Sequence, residues 1–206
     1  IHWQKVVMKL AILGASGHGK VVADLAELCG WDVAFFDDAF PDLQLNGAWA
    51  IKGRTDELLQ QADRFVGVIV AIGHNRTRLA KLRLLRDRGF SIETLVHPQA
   101  CVSRHAIVEP GCVVFAGAVV NAFVRVGEGC ILNTLCGVDH DSVLGAAVHV
   151  SPGACLAGGV KVGEATWIGI GASVRQLIRI GADVVVGAGA AVISELPDNV
   201  TVVGVP

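Results

Sequence analysis

Val138-Asp139-His140-Asp141 sets an imidazole between two carboxylates. A carboxylate beside a histidine fixes its tautomer and raises its basicity, which is what a general base requires. A solvated acidic corner would use the same residues. Eighteen residues further on lies Ala157-Gly158-Gly159, which carries no bulky side chain. If the chain stacks with an eighteen-residue repeat, the His140 ring has open space above it where a ligand could reach the backbone. Of the seven histidines, His149 is the other one of interest. His97 and His105 read as structural or solvated, and His18 and His74 lie at strand ends.

A second kind of chemistry is suggested near the amino end. Gly14-Ala15-Ser16-Gly17-His18-Gly19 joins an apolar stretch, Leu10 to Leu13, to the helically periodic Lys20 to Leu28. Backbone N–H groups at such a helix start form an anion site suited to phosphate. The spacing is GxxGxG rather than the GxGxxG dinucleotide fingerprint, and a plain tight connection would use the same glycines. Asp37 and Asp38 end a second apolar run, Val33 to Phe36, where an α/β crevice sets a carboxylate against a sugar or base. A solvated turn is the plainer alternative. Together, the glycine loop and the carboxylates favour a nucleotide or nucleotide-sugar site.

The elements that must position these residues are of two kinds. From Val96 to Val192 an aliphatic residue recurs at every sixth position, seventeen times without a gap. A second register, four residues after each member, is apolar except at Ser142 and Thr166. A strict period of six means short strands joined by corners, stacked so that they bury one continuous core. Three hexads make one triangular coil, and roughly six coils at a strand spacing of ~4.8 Å build a prism ~27 Å tall. Glycines at the second and fourth hexad positions read as turns, where positive φ costs glycine least.

Outward residues then sort by face. One face carries Val113, Ile131, His149, Trp167 and Val185 and is apolar apart from His149. A second carries the small residues Val119, Gly137, Cys155, Ser173 and Ala191. The third carries Ile107, Arg125, Val143, Lys161 and Arg179 and is basic. An exposed apolar stripe five coils long implies a partner surface, so threefold self-association is expected, with prisms side by side. His140 and His149 are half a coil apart, on different sides of one prism, and could meet only across a subunit boundary.

Ahead of the prism, Leu10 to Leu13, Val33 to Phe36, Phe65 to Ile72 and Ser91 to Val96 alternate with helical stretches, the second being a basic helix from Arg76 to about Arg88. That order implies a small parallel sheet with Rossmann-like winding. The expected division is residues 1–7 as a tag or extension ahead of a start at Met8, with His2 inside it; 8–92 as an α/β nucleotide-sugar-binding domain; and 93–206 as an all-β prism.

The chain has 206 residues, 52% hydrophobic and 17% charged, with a net charge of −2. That balance disfavours nucleic acid as a partner. No run reads as a membrane span or a secretory signal, so a cytoplasmic protein is expected. Of six cysteines, Cys112, Cys130 and Cys136 fall in the inward small-residue register and read as buried, reduced thiols. No Cys/His spacing suggests a metal site.

The motifs Ile12 to Val22, Phe35 to Asp38, Ala71 to Asn75, Leu132-Asn133-Thr134, Val138 to Asp141, Val148 to Gly153 and Val203 to Pro206 occur in an order that resembles the NeuD/PglD-type sugar acetyltransferases. These belong to the sialic-acid and bacillosamine pathways and to the hexapeptide-repeat acyltransferases. The resemblance covers nearly the whole chain from Met8. It implies a left-handed parallel β-helix, a homotrimer with the acyl donor between neighbouring prisms, and acetyl transfer from acetyl-CoA to the 4-amino group of a UDP-linked amino-deoxy sugar, without a metal. His140 matches the family's general base and Asp141 its carboxylate partner, with Asp139 as a substitute. His149 matches a histidine near the acetyl group. Gly158, Ile170 and Ala188 match positions lining the pantetheine path, with Ala188 standing where the family has glycine. Asn133 matches a polar residue near the acceptor. Gly14, Ser16, Gly17, His18 and Gly19 match the sugar-nucleotide phosphate loop, Asp37 and Asp38 the uracil-binding pair, and Gly73 to Asn75 the loop beside it. Relatives usually continue past the position of Pro206 with a short basic tail that helps close the donor site, so weaker CoA binding is expected here.

Other readings compete. An O-acetyltransferase acting on sialic acid would not need the phosphate loop. A GDP- or dTDP-amino sugar is a closer alternative. A metal hydrolyase of the prism type would need a third histidine beside His140 and His149. A non-catalytic scaffold explains the repeat but not the imidazole–carboxylate corner.

Overall fold

The structure, a computed structural model, describes residues 8–206. The reading of residues 1–7 as a tag, His2 included, lies outside the described residues. The chain divides into two compact units, one holding the residues up to Gly73 together with Lys81–Glu93, the other His74–Ala80 and Thr94–Pro206.

The first unit contains β1 (Lys9–Leu13), α1 (Gly17–Leu28), β2 (Asp32–Phe36), the short pair β3 (Leu45–Asn46) and β4 (Trp49–Ala50), α2 (Thr55–Leu59) and β5 (Gly67–Val70). The helix α3 (Asn75–Asp87) follows, and its later turns belong to this unit. The sheet is parallel with order β2-β1-β5. Its central strand is apolar on both faces, and Leu10, Ala11, Ile12 and Leu13 are all buried, as parallel strands covered by helices require. α1 buries Gly19, Val22, Ala23, Leu25 and Ala26 at helical spacing. It begins three residues earlier than its apolar periodicity suggests, so Gly17, His18 and Gly19 form its first turn rather than a loop. β3 and β4 close an antiparallel hairpin through Gly47-Ala48, with Gly47 at φ +67°.

The second unit is the left-handed β-helix. Two-residue strands stack into three parallel sheets of six, five and seven strands. Partners lie eighteen residues apart, as in Val119↔Gly137 and Arg125↔Val143. From Cys112 to Val192 the inward registers form one continuous buried core, with Ala100, Val102, Ala106 and Val108 partly buried against it and Val96 exposed. Each fully buried Val or Leu contributes ~1.5–3 kcal/mol. The two polar breaks in that register have partners. Thr166 Oγ1 donates to Gly181 O at 2.7 Å and accepts from Val184 N at 3.1 Å. Ser142 Oγ donates to Ala157 O at 3.3 Å and accepts from Val160 N at 3.1 Å. Cys112 and Cys130 occupy equivalent places, and their thiols donate to Gly127 O and Gly145 O at 3.1 and 3.2 Å. Burial pushes the Cys136 thiol up to about 12, and all six cysteines are free thiols.

Two expectations need correction. Glycines at the fourth hexad position do adopt positive φ, as Gly159 does at +69°. Those at the second position are instead forced by stacking. A Cβ on Gly163 would meet Ala182 N and Gly181 C at 2.5 Å, and one on Gly145 would meet Glu164 N at 2.7 Å. The apolar stripe is also shorter than expected. Val113 and Ile131 are 2% and 0% exposed, so only His149, Trp167 and Val185 remain open on that face.

The first turns of α3 latch onto one corner of the prism. Asn75 Nδ2 donates to Ala165 O at 2.9 Å. Arg76 Nε donates to Asp183 Oδ1 at 2.7 Å, and its guanidinium also pairs with Glu164. Arg78, 1% exposed, donates from Nε to Gly129 O at 2.7 Å and from Nη2 to Ala147 O and Asn75 Oδ1 at 2.9 Å. Burial lowers its pKa to about 10, so it stays charged among these acceptors.

Candidate active site

His140 sits on the corner between the small-residue and basic faces. Its Nδ1 lies 2.8 Å from Asp141 Oδ2. An ionised carboxylate only accepts, so Nδ1 carries the proton and Nε2 of the neutral ring presents a lone pair. The hydrogen bond to Asp141, followed by the charge of Asp139, raises the His140 pKa. Asp139 plays a different part: its Oδ1 accepts the His140 backbone N–H at 2.8 Å and the Asn121 Nδ2–H at 2.8 Å. Those two bonds, in that order, hold the Asp139 carboxyl below the usual range. Asp141 has φ +60°, a left-handed turn position that Asp tolerates better than most residues. Gly158 lies directly against the ring, and a Cβ there would fall 2.6 Å from both Cε1 and Nε2. The open space expected above the ring is therefore not there: the imidazole itself covers the buried Gly158, and it can do so because residue 158 is glycine.

His149 and Asn133 form a separate cluster. Thr134 N donates to Asn133 Oδ1 at 2.9 Å, which orients the amide and turns Nδ2 toward His149 Nε2 at 3.2 Å. His149 Nε2 therefore accepts, and its neutral ring carries the proton on Nδ1. The ring stacks on Trp167, with centroids 5.7 Å apart and planes 7° apart. Trp167 Nε1 donates to the buried Ser151 Oγ at 2.7 Å. Ile170 and Ala188 are exposed on the corner above Asn133, eighteen residues apart. Within one chain the candidate residues thus form two groups, His140 with Asp141 and Gly158, and Asn133 with His149.

Sequence reasoning placed Trp167 on the His149 face but missed the stack, and it missed Asn121 altogether. The eighteen-residue period carries both signals, since Trp167 follows His149 and Asp139 follows Asn121 by one coil.

In the first unit, Gly14, at φ +110°, turns β1 toward α1, and a Cβ there would meet Ala71 O at 2.8 Å. A Cβ on Gly19 would meet Gly14 O at 2.5 Å, whereas Gly17 is open. Two of the three glycines are thus required by packing, and the third leaves its backbone accessible. Ser16 caps α1 without a side-chain bond, His18 is half-buried in the first turn, and the buried Asn46 donates to Ser16 O at 3.2 Å. Asp37 Oδ2 accepts from Ala15 N at 2.7 Å and Oδ1 from Ala39 N at 2.9 Å, so it ties the glycine loop to the end of β2. Asp38 accepts from Thr55 N at 2.9 Å and from Lys81 Nζ at 2.8 Å. Partial burial pulls its pKa up, but the bonds from Lys81 and Thr55 outweigh this and hold it at about 2. Gly73 is exposed, and His74 Nδ1 accepts from Thr77 N at 3.3 Å at the start of α3.

Among the described residues no group of three or more His, Cys, Asp or Glu is placed to hold a metal ion, and no helix is long and apolar enough to cross a membrane.

Comparison with known proteins gives concordant matches. The family model described as the PglD N-terminal domain matches residues 9–84. Perosamine N-acetyltransferase from Caulobacter crescentus, solved as a histidine-to-asparagine mutant with CoA and GDP-perosamine, is 38% identical with a TM-score of 0.92, covering 97% of this chain and 95% of that one. The acetyltransferase domain of PglB from Neisseria gonorrhoeae FA1090, in complex with acetyl coenzyme A, is 41% identical with a TM-score of 0.92, covering 96% and 97%. UDP-N-acetylbacillosamine N-acetyltransferase from Bacillus subtilis (strain 168) is 38% identical over 112 residues, 52% of this chain and 51% of that protein. With the repeat, the glycine turn and the His140 corner in place, the chain belongs to the PglD-type sugar N-acetyltransferases, acetyl-CoA-dependent enzymes of the hexapeptide-repeat class.

Proposed function

We propose that the chain transfers acetyl from acetyl-CoA to the 4-amino group of a UDP-linked amino-deoxy sugar, with His140 as general base. The observation that carries this reading is the His140 corner: Asp141 takes Nδ1, and the exposed ring packs over residue 158, where glycine leaves it room. The amine nitrogen bonds to the thioester carbonyl carbon and loses a proton, which Nε2 accepts. As the tetrahedral adduct collapses the C–S bond breaks, and the same proton can pass to the departing thiolate. No covalent enzyme intermediate is needed. Much of the acceleration comes from holding two substrates together.

Residues 8–92 bind the nucleotide sugar in this account. Gly17, with its open backbone, and the start of α1 offer N–H groups to phosphate. Acetyl-CoA, when bound, supplies the thioester, with His149, Gly158, Ile170 and Ala188 along its path. Three prisms associate so that His140 of one works against the donor held by the next. Exposed apolar side chains at the prism corners, Phe123, Leu135, Ile170 and Leu177, each more than 60% exposed, support burial against further copies.

A GDP-linked acceptor is the second reading, favoured by the 38% identity to a protein solved with GDP-perosamine. The test is thiol release from acetyl-CoA with UDP- and GDP-linked 4-amino sugars and their 4-hydroxyl counterparts. Turnover with the UDP amino sugar is expected. Turnover with GDP alone would move the assignment, and turnover with the hydroxyl sugars alone would replace N- by O-acetylation. His140→Ala is expected to lower turnover ~100-fold or more with nucleotide-sugar affinity nearly intact. Unchanged turnover would end the base assignment.

A further inference from the structure

We infer that Asn121 is a positioning residue for the reaction: acting through Asp139, it fixes the corner that presents His140. The inference rests on the reading of His140 as base.

Asn121 occupies the same place in its coil as Asp139 does one coil above, eighteen residues on. Its Nδ2 donates to Asp139 Oδ1 at 2.8 Å. The same oxygen accepts the His140 backbone N–H, also at 2.8 Å. One carboxylate oxygen therefore joins the coil below to the backbone of the base. The other carboxylate, Asp141, acts on the ring. Backbone and ring are held by different side chains, and each needs its own anchor.

An exposed carboxylate with a single donor from its neighbouring residue can leave by rotating about its own side-chain bonds. A second donor on the same oxygen from another coil opposes that rotation, and bonds to an ionised acceptor are the stronger kind. Asn121 is exposed at the rim of the shallow groove lined by Gly137, Cys155 and Ser173, so its amide bond rather than core packing is its structural role. Within the chain the corner above His140 offers Ala157, Gly158 and Gly159, and the corner below offers Asn121, Ala122 and Phe123, all uncharged. Asp139 and Asp141 are the charges that face the ring, in keeping with its raised pKa. If Asp139 swings away, the ring loses part of that field and its backbone loses an anchor.

The test uses Asn121→Leu in the full chain, with Asn121→Gln as the variant that keeps an amide donor. His140 is titrated by histidine-ring NMR, its signal identified by its loss in His140→Ala. Turnover is read as thiol release with a UDP-linked 4-amino-4,6-dideoxy sugar, or its GDP-linked counterpart if only that is accepted. Asn121→Leu is expected to move the His140 titration down by ~0.5 pH unit. It is expected to lower kcat ~5-fold with acceptor KM within about twofold, and Asn121→Gln to recover most of the loss. Added to Asp139→Ala, it should cost nothing further. An unmoved ring titration, or an equal loss in the Asp139→Ala background, overturns the inference. Should the leucine variant fail to fold, Asn121→Ser carries the same reading. Failure of the base assignment is separate, because His140→Ala would then turn over normally.

Discussion

At the scale of single residues, the arrangement around His140 makes two predictions. Gly158 is buried beneath the imidazole, and a methyl group there would fall 2.6 Å from Nε2. Gly158→Ala must displace the ring, and misplacing a reacting group by about 1 Å can cost ~100-fold. Thiol release should therefore fall at least ~10-fold, with a melting temperature close to that of the parent; retained turnover would mean the ring does not work at this spot. The second prediction concerns pH. The active ring is neutral, so the rate falls as pH drops through the His140 pKa. Asp141 and Asp139 raise that pKa, so the acid limb of kcat/KM is shifted upward from the ordinary histidine value. Asp141→Asn removes one charge and should carry the limb to lower pH while lowering the plateau. A limb that stays in place would detach the pH dependence from this pair.

At the scale of elements, the prism was legible because its period is local and strict. One hexad register predicts burial at every coil, and the same period would have given the His149–Trp167 stack and the Asn121–Asp139 bond had it been applied to outward positions. The latch at the start of α3 was not legible. The stretch from Arg76 to Arg88 reads as a basic helix, and nothing local tells a solvated arginine from Arg78, whose guanidinium is buried against Gly129 O and Ala147 O. Val113 and Ile131 likewise read as open surface, since the period marks which side chains point outward and not which of those are covered. Asp37 and Asp38 stand out by their strand-end position, but their bonds to Ala15, Thr55 and Lys81 are long-range pairings that sequence does not display. Arg78→Met should strip charged donors from buried carbonyls and cost ~3 kcal/mol. That is readable as a drop in thermal unfolding midpoint, and a midpoint within a degree of the parent would remove the latch from the account.

At the scale of the whole molecule, the fold separates the chemistry into parts that one chain does not join. Asn133 and His149 stand as one group, and His140, Asp141 and Gly158 as another on a different corner. In the proposed threefold arrangement, each boundary would draw the base from one chain and the donor path from the next. The measurement that tests this most directly is complementation between two defective chains, His140→Ala and Ala188→Trp, each inactive alone. Mixed threefold assemblies formed at equal amounts place an intact His140 beside an intact donor path at about one boundary in four. Thiol release with the amino-sugar acceptor should return to about a quarter of the parent rate. No activity above that of the separate variants would contradict a catalytic site shared between chains.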